Sequence, residues 1–184
     1  MTSSRFSVLL ERNEQFAATE AKHDIPAIPF IPFRQLYLIT CIDPRVEPAA
    51  SLGLRLGEAV VARNVGGRVT PAVIKDLAWI CHLHETKTPA ADWFEVAIIH
   101  HTDCGSALLA DEDLRHTFAA RGGYDEHTAA DMAVLDPAVT VRADVARLRA
   151  APELLPSSKH FAIGGYAYDL ETGLLTTVVP PSCG

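Results

Sequence analysis

Residues 36–45 read LYLITCIDPR, an apolar run that ends in a cysteine, an aspartate and an arginine. A short, continuous apolar run closed by a proline is the pattern of a strand buried on both faces, as in a parallel sheet. Its complement lies further along, where Phe94-Glu-Val-Ala-Ile-Ile-His100 repeats the pattern and runs into His101-Thr-Asp-Cys104-Gly105. Two strand ends therefore offer two thiols and an imidazole. In open α/β sheets ligands bind beyond the carboxyl ends of the strands, where both motifs fall.

Outward from these strands the chain alternates. Pro44 and Pro48 bracket a turn, and residues 47–54 make a short helix closed by Gly53 or Gly57. A strand over 58–62 follows, then the Arg63-Asn-Val-Gly-Gly loop, then a helix through His84 with Thr70 as its cap and Pro71 at its first position. Residues 86–92 connect to the second motif strand, residues 106–120 read as helix, 124–136 give no clear pattern, and 137–150 are helical again. A strand over 160–163 and a hairpin through 169–173 close the domain, with Cys183 in a Pro-Pro-Ser-Cys-Gly tail. Apolar strands alternating with helices predict an α/β fold: a mostly parallel central sheet of four to five strands with helices on both faces.

Residues 5–22 carry Phe6, Leu9, Leu10 and Phe16 as an incomplete helical stripe, and Pro26, Pro29 and Pro32 enforce an extended segment after it. Residues 1–33 are expected to form an arm on a partner subunit, with 34–184 as one catalytic domain. The chain has 184 residues, 48% of them apolar and 21% charged, which suits a single globular domain. A net charge of −7 lacks the basic footprint that neutralises phosphates, so neither nucleic acid nor an anionic membrane is expected as a partner. No run has the length of a membrane span, and charged residues precede any long apolar run at the start. Four cysteines without a secretory signal favour thiols kept for metal or catalysis, hence a cytoplasmic setting.

Thiolates and imidazole are donors that zinc prefers, and a catalytic zinc takes three protein ligands and keeps its fourth position for water. Cys41, His101 and Cys104 are the expected ligands of one Zn2+. Zinc held by two thiolates is formally neutral, so help in acidifying its water is expected from Asp43 and Arg45, which share a face with Cys41 on an extended segment. Arg45 can grip Asp43 in a two-pronged pair, and Gly105 can bring a bare backbone N–H against substrate oxygen. Cys81, mid-helix among Trp79, Ile80 and Leu83, reads as a small buried hydrophobe; His82 and His84 read as surface or packing groups. Arg63-Asn-Val-Gly-Gly lacks the ending of a phosphate loop and reads as a turn walling the pocket.

Cys41-Ile-Asp43-Pro-Arg45, Val60-Val-Ala-Arg-Asn-Val-Gly66-Gly67, His101-Thr-Asp-Cys104-Gly105, and Gly164-Gly165-Tyr166 with Glu171-Thr-Gly173-Leu follow one another in an order that resembles the β-class carbonic anhydrases. The likeness covers residues 34–178 and is nearest to the compact branch with a His-His-Thr-Asp-Cys-Gly run, which also includes carbonyl sulfide and carbon disulfide hydrolases. It implies a zinc enzyme, a homodimer or higher homo-oligomer, that hydrates CO2 to bicarbonate through zinc-activated water. It also implies that an unpaired Asp43 swings onto zinc and shuts the site, whereas Arg45 holds it open. The resemblance and strand alternation both select His101 over His100 as ligand, leaving His100 behind the site or packed in the core.

Two departures bear on substrate. Pro32 stands where many of these enzymes carry a glutamine that reaches a substrate oxygen, and Gln35 is out of register with it. Ile42 and Pro44 replace the usual serines, and His100 replaces a common glycine. Carbon dioxide is the first expectation. Carbonyl sulfide or carbon disulfide, linear electrophiles open to the same attack, is the alternative. A non-catalytic structural zinc protein is the remote third reading, since such sites take four protein ligands.

Overall fold

A computed structural model of the chain describes residues 5–23, 25–29, 31–87, 94–122, 125–154 and 161–183. The start expected for the last strand at His160, Tyr124 and most of the 86–92 connection lie outside them. Five strands, β1 (Leu36–Cys41), β2 (Ala59–Asn64), β3 (Phe94–His101), β4 (Phe161–Tyr168) and β5 (Leu175–Cys183), form one sheet in the order β2, β1, β3, β4, β5. The first four are parallel, and β5 returns antiparallel to β4. The described helices are α1 (Ser7–Ala17), α2 (Pro48–Ser51), α3 (Pro71–Lys87), α4 (Glu112–Gly122), α5 (Glu126–Asp131) and α6 (Pro137–Arg149).

Strand alternation builds two apolar clusters. On one face Tyr37, Ile39, Val96, Ile98, Phe161 and Ile163 meet Val73, Ile74, Leu77 and Cys81 of α3 and Val141, Val145 and Leu148 of α6. On the other, Leu38, Ala97 and Ile99 pack with Leu36, Leu54, Ala59, Tyr166, Tyr168 and Leu175. Among the described residues, none of this second cluster lies on a helix. α2, which links β1 to β2, spans only four residues, and no residue of α1 is buried.

The helix starts are set by side chains that satisfy free N–H groups. Asp136 accepts from Ala138 and Val139 with Pro137 at the first position, Thr70 Oγ1 accepts from Val73 N–H at 3.3 Å, and Asp125 accepts from Thr128 N–H. That last cap makes α5 out of the stretch that sequence patterning left unread. The helix expected over 106–120 divides into a 3-10 turn, Gly105–Ala110, and α4. Cys183, expected in a tail, lies in β5 opposite Ala162, since an edge strand tolerates Pro180 and Pro181.

Candidate metal centre

Cys41 closes β1 and His101 closes β3, while Cys104 follows a turn whose Asp103 takes φ 52. β1 and β3 are hydrogen-bonded neighbours running the same way, so their carboxyl ends open on one spot. There the Cys41 and Cys104 sulfurs and a His101 ring nitrogen lie within 4.8 Å of one another, all on buried residues. The two sulfurs are 3.8 Å apart and both cysteines are free. Two zinc–sulfur bonds of about 2.3 Å at a tetrahedral angle require about that separation.

His101 Nδ1 lies 2.8 Å from the Thr102 carbonyl, which fixes its proton there. Nε2 is left with its lone pair, buried and without a hydrogen-bond partner. A metal ion is what such a nitrogen beside two sulfurs accommodates, and the donor set selects zinc over hard cations.

The electrostatics fit a cation site. The hydrogen bond between the paired sulfurs pushes Cys41 up and holds Cys104 down. Burial acts to lower His101, but the Cys104 sulfur, the Thr102 carbonyl and Asp43 outweigh it and leave it raised. Ser106 Oγ accepts the Val134 N–H at 3.2 Å, so its own proton faces Cys104 Sγ, also at 3.2 Å. Asp43 N–H adds a 3.4 Å contact to Cys41 Sγ.

Asp43 and Arg45 meet as expected but by another device. Residues 43–46 form a turn, with Val46 N–H on Asp43 O at 3.0 Å and Arg45 N–H on Asp43 Oδ1 at 2.9 Å, so a side-chain-capped turn rather than extended alternation brings them together. Arg45 Nε and Nη2 then hold both carboxylate oxygens at 3.0 and 2.8 Å. That grip keeps Asp43 ionised, down at about 2. Sequence reasoning missed that Arg45 is also tied to Asp103, through Nη1 to Oδ2 at 2.7 Å and Nη2 to the carbonyl at 2.9 Å.

It also missed Arg63, which binds the carbonyls of Cys41, Asp43 and Val46 at 3.0, 2.8 and 2.9 Å and so pins the loop that carries the pair. No short-range pattern marks either contact. Cys41, Ile42, Asp43, Val65, Gly66, Gly105 and Ser106 line a pocket of about 160 Å³. The Arg63–Gly67 segment walls it, as its sequence suggests, and a Cβ at Gly105 would meet nothing within 4 Å.

The other candidates fall away from the site. Cys81 is buried in the main core, which pushes its thiol up to about 12, and His84 packs edge-on against Phe94. His82 lies near Trp79, and His100 is buried with its ring nitrogens facing Thr140, Gly67 and Asp144.

Fold and site together define an α/β protein with a cluster of two cysteine sulfurs and one imidazole that could hold a metal ion at the carboxyl ends of neighbouring parallel strands. A family model described as carbonic anhydrase matches residues 36–175. The chain is 31% identical over 153 residues to β-carbonic anhydrase 1 of Mycobacterium tuberculosis, covering 83% of this chain and 87% of that one. It is 31% identical over 122 residues to a carbon disulfide hydrolase of Acidianus, covering 66% of this chain and 53% of that one. Among solved structures, the carbonic anhydrase of Streptococcus mutans superposes with a TM-score of 0.75 at 29% identity, covering 97% of this chain and 99% of that one. The chain belongs to the β-carbonic anhydrase family, whose members here are enzymes that include carbon disulfide hydrolases.

Proposed function

We propose that the protein hydrates carbon dioxide to bicarbonate with zinc held by Cys41, His101 and Cys104. The observation that carries this reading is a three-donor cluster with a pocket on its open side and the neighbouring carboxylate held by Arg45 rather than turned onto the donors. Zinc in such a site acidifies a water so that it attacks carbon near neutral pH. Asp43, ionised in the grip of Arg45, accepts a hydrogen bond from the attacking water and so aims its lone pair at the substrate. Arg45 keeps Asp43 from becoming a fourth donor. Gly105 N–H donates to substrate oxygen. Ile42 and Val65 give the pocket apolar walls suited to an uncharged linear molecule.

The apolar walls, and Pro32 in place of a polar reader of oxygen, favour a second reading: hydrolysis of carbonyl sulfide or carbon disulfide with release of hydrogen sulfide. One zinc-quantified preparation separates them, with CO2 hydration followed by stopped flow and sulfide release followed from both sulfur substrates. The expected result is rapid hydration without sulfide. Sulfide turnover with negligible hydration would replace the first reading by the second.

The arm, 1–33, is proposed to lie on a partner subunit, because α1 leaves Phe6, Leu9, Leu10 and Phe16 exposed and a lone helix of 11 residues is marginal in water. A homodimer or higher homo-oligomer follows. Reduced thiols are needed at the metal centre, which fits action in the cytoplasm.

A further inference from the structure

His100 is next in sequence to the ligand His101 yet faces a different set of partners, and it is 0% exposed. Its Nδ1 lies 2.8 Å from Thr140 Oγ1, on α6. Its Nε2 lies 3.2 Å from the Gly67 carbonyl and 3.3 Å from Asp144 Oδ2. Both neighbours of Nε2 are acceptors, so a proton sits on Nε2 and is shared between them.

Asp144, also 0% exposed, accepts from Arg68 Nε at 2.7 Å and Nη2 at 3.0 Å, from Val69 N–H at 3.0 Å and from Arg147 Nη1 at 2.9 Å. Arg68 is further held by the Asp131 carbonyl. One buried carboxylate thereby ties together β3, α6 and the segment that leaves the glycine turn.

That turn is the seat of a metal ligand. Gly67, at φ +66, lies so close to the end of β1 that a Cβ would fall 2.8 Å from Cys41 N and from the Thr40 carbonyl carbon. Gly66, at φ +75, lines the same pocket as Cys41. An apolar side chain at position 100 would fill the space with no polar atom to bury. The imidazole there earns its desolvation only through the two acceptors it satisfies.

We propose that His100, braced by Asp144 and Arg68, is the positioning residue for Cys41: by donating to the Gly67 carbonyl it locks the Gly66–Gly67 turn against β1 and fixes the ligand sulfur. This rests on the zinc reading above and adds to it a group that touches neither metal nor substrate. Residues that orient a ligand from behind are worth about ten- to hundredfold in metal affinity.

The test compares His100→Phe, His100→Gln and His100→Asn as full-length chains. A glutamine amide reaches the place of Nε2, whereas an asparagine amide reaches only that of Nδ1. Zinc affinity is measured by chelator competition, and amide exchange over residues 64–68 is measured by mass spectrometry on metal-free protein. H100F and H100N are expected to bind zinc about ten- to hundredfold more weakly and to exchange faster over 64–68, with H100Q close to the parent in both. Zinc affinity within threefold of the parent for H100F, with only its melting temperature lowered, overturns the proposal. Should H100F fail to fold, equal affinities in H100Q and H100N overturn it. A parent that binds no stoichiometric zinc defeats the metal reading itself, whereas a parent that binds while the variants stay flat defeats only the role of His100.

Discussion

Arg45 ties down the carboxylate that neighbours the donor cluster. Half-exposed, it reaches both oxygens of Asp43 and two oxygens of Asp103, Oδ2 and the carbonyl, and the carboxylate beside the donors is thereby occupied. Arg45→Ala frees Asp43 to take the open side of the cluster. We expect hydration kcat/KM to fall about ten- to hundredfold with zinc content unchanged, as stopped flow and metal analysis on one sample will show. Asp144 governs stability instead. Burial acts to raise its pKa, but hydrogen bonds from His100 and Arg68 bring it down to about 2. A carboxylate held below its unfolded value of about 3.9 stabilises the folded chain fully above that value and loses the contribution as pH falls toward the folded value. The parent should therefore shed about 2 kcal/mol between roughly pH 5 and 2 on this account. Urea midpoints over that range should fall less steeply for Asp144→Asn, which starts from a lower stability.

At the scale of elements, the site depends on how closely one turn approaches one strand. Gly67→Ala forces a side chain into the left-handed region, a cost of about 1–2 kcal/mol, and onto the backbone of β1. The melting temperature should drop by roughly 3–8 °C, and zinc should bind more weakly than in the parent. Calorimetry and chelator competition measure the two. β1, β3, α3 and α6 were legible because their apolar spacing, Pro71, Pro137 and the Thr70 cap are short-range signals. The sequence also brought together the three donors that the structure clusters, since Cys41 and His101 close their strands and Cys104 follows β3 by three residues. Their partners were not legible: Arg63, Asp103 and Ser106 act through contacts that exist only after β1, β3 and the glycine turn are assembled. Asp144 stands 76 positions from Arg68, and nothing local to either announces the pair. The hairpin through 169–173 announced a returning strand, but its run through Pro180 and Pro181 to Cys183 was read as a tail, which an edge strand permits.

For the whole molecule, the unequal dressing of the sheet is the governing feature. Among the described residues, α3 and α6 supply the helical side chains of the main core, the second cluster is built from strand side chains and Leu54, and α1 stands with its apolar residues in solvent. Deleting residues 1–19 should turn an oligomer into a smaller species, read as a lower mass by light scattering at equal concentration. An unchanged mass would remove the arm from the interface.

The donors come from two strands that meet only by parallel pairing, with Cys41 and Cys104 separated by 63 positions. During synthesis no early fragment of the chain can hold the ion, because the second strand has yet to emerge and the crossover between the two must be wound first. On the zinc reading proposed above, the ion is therefore expected to load after the sheet has assembled rather than on a nascent fragment.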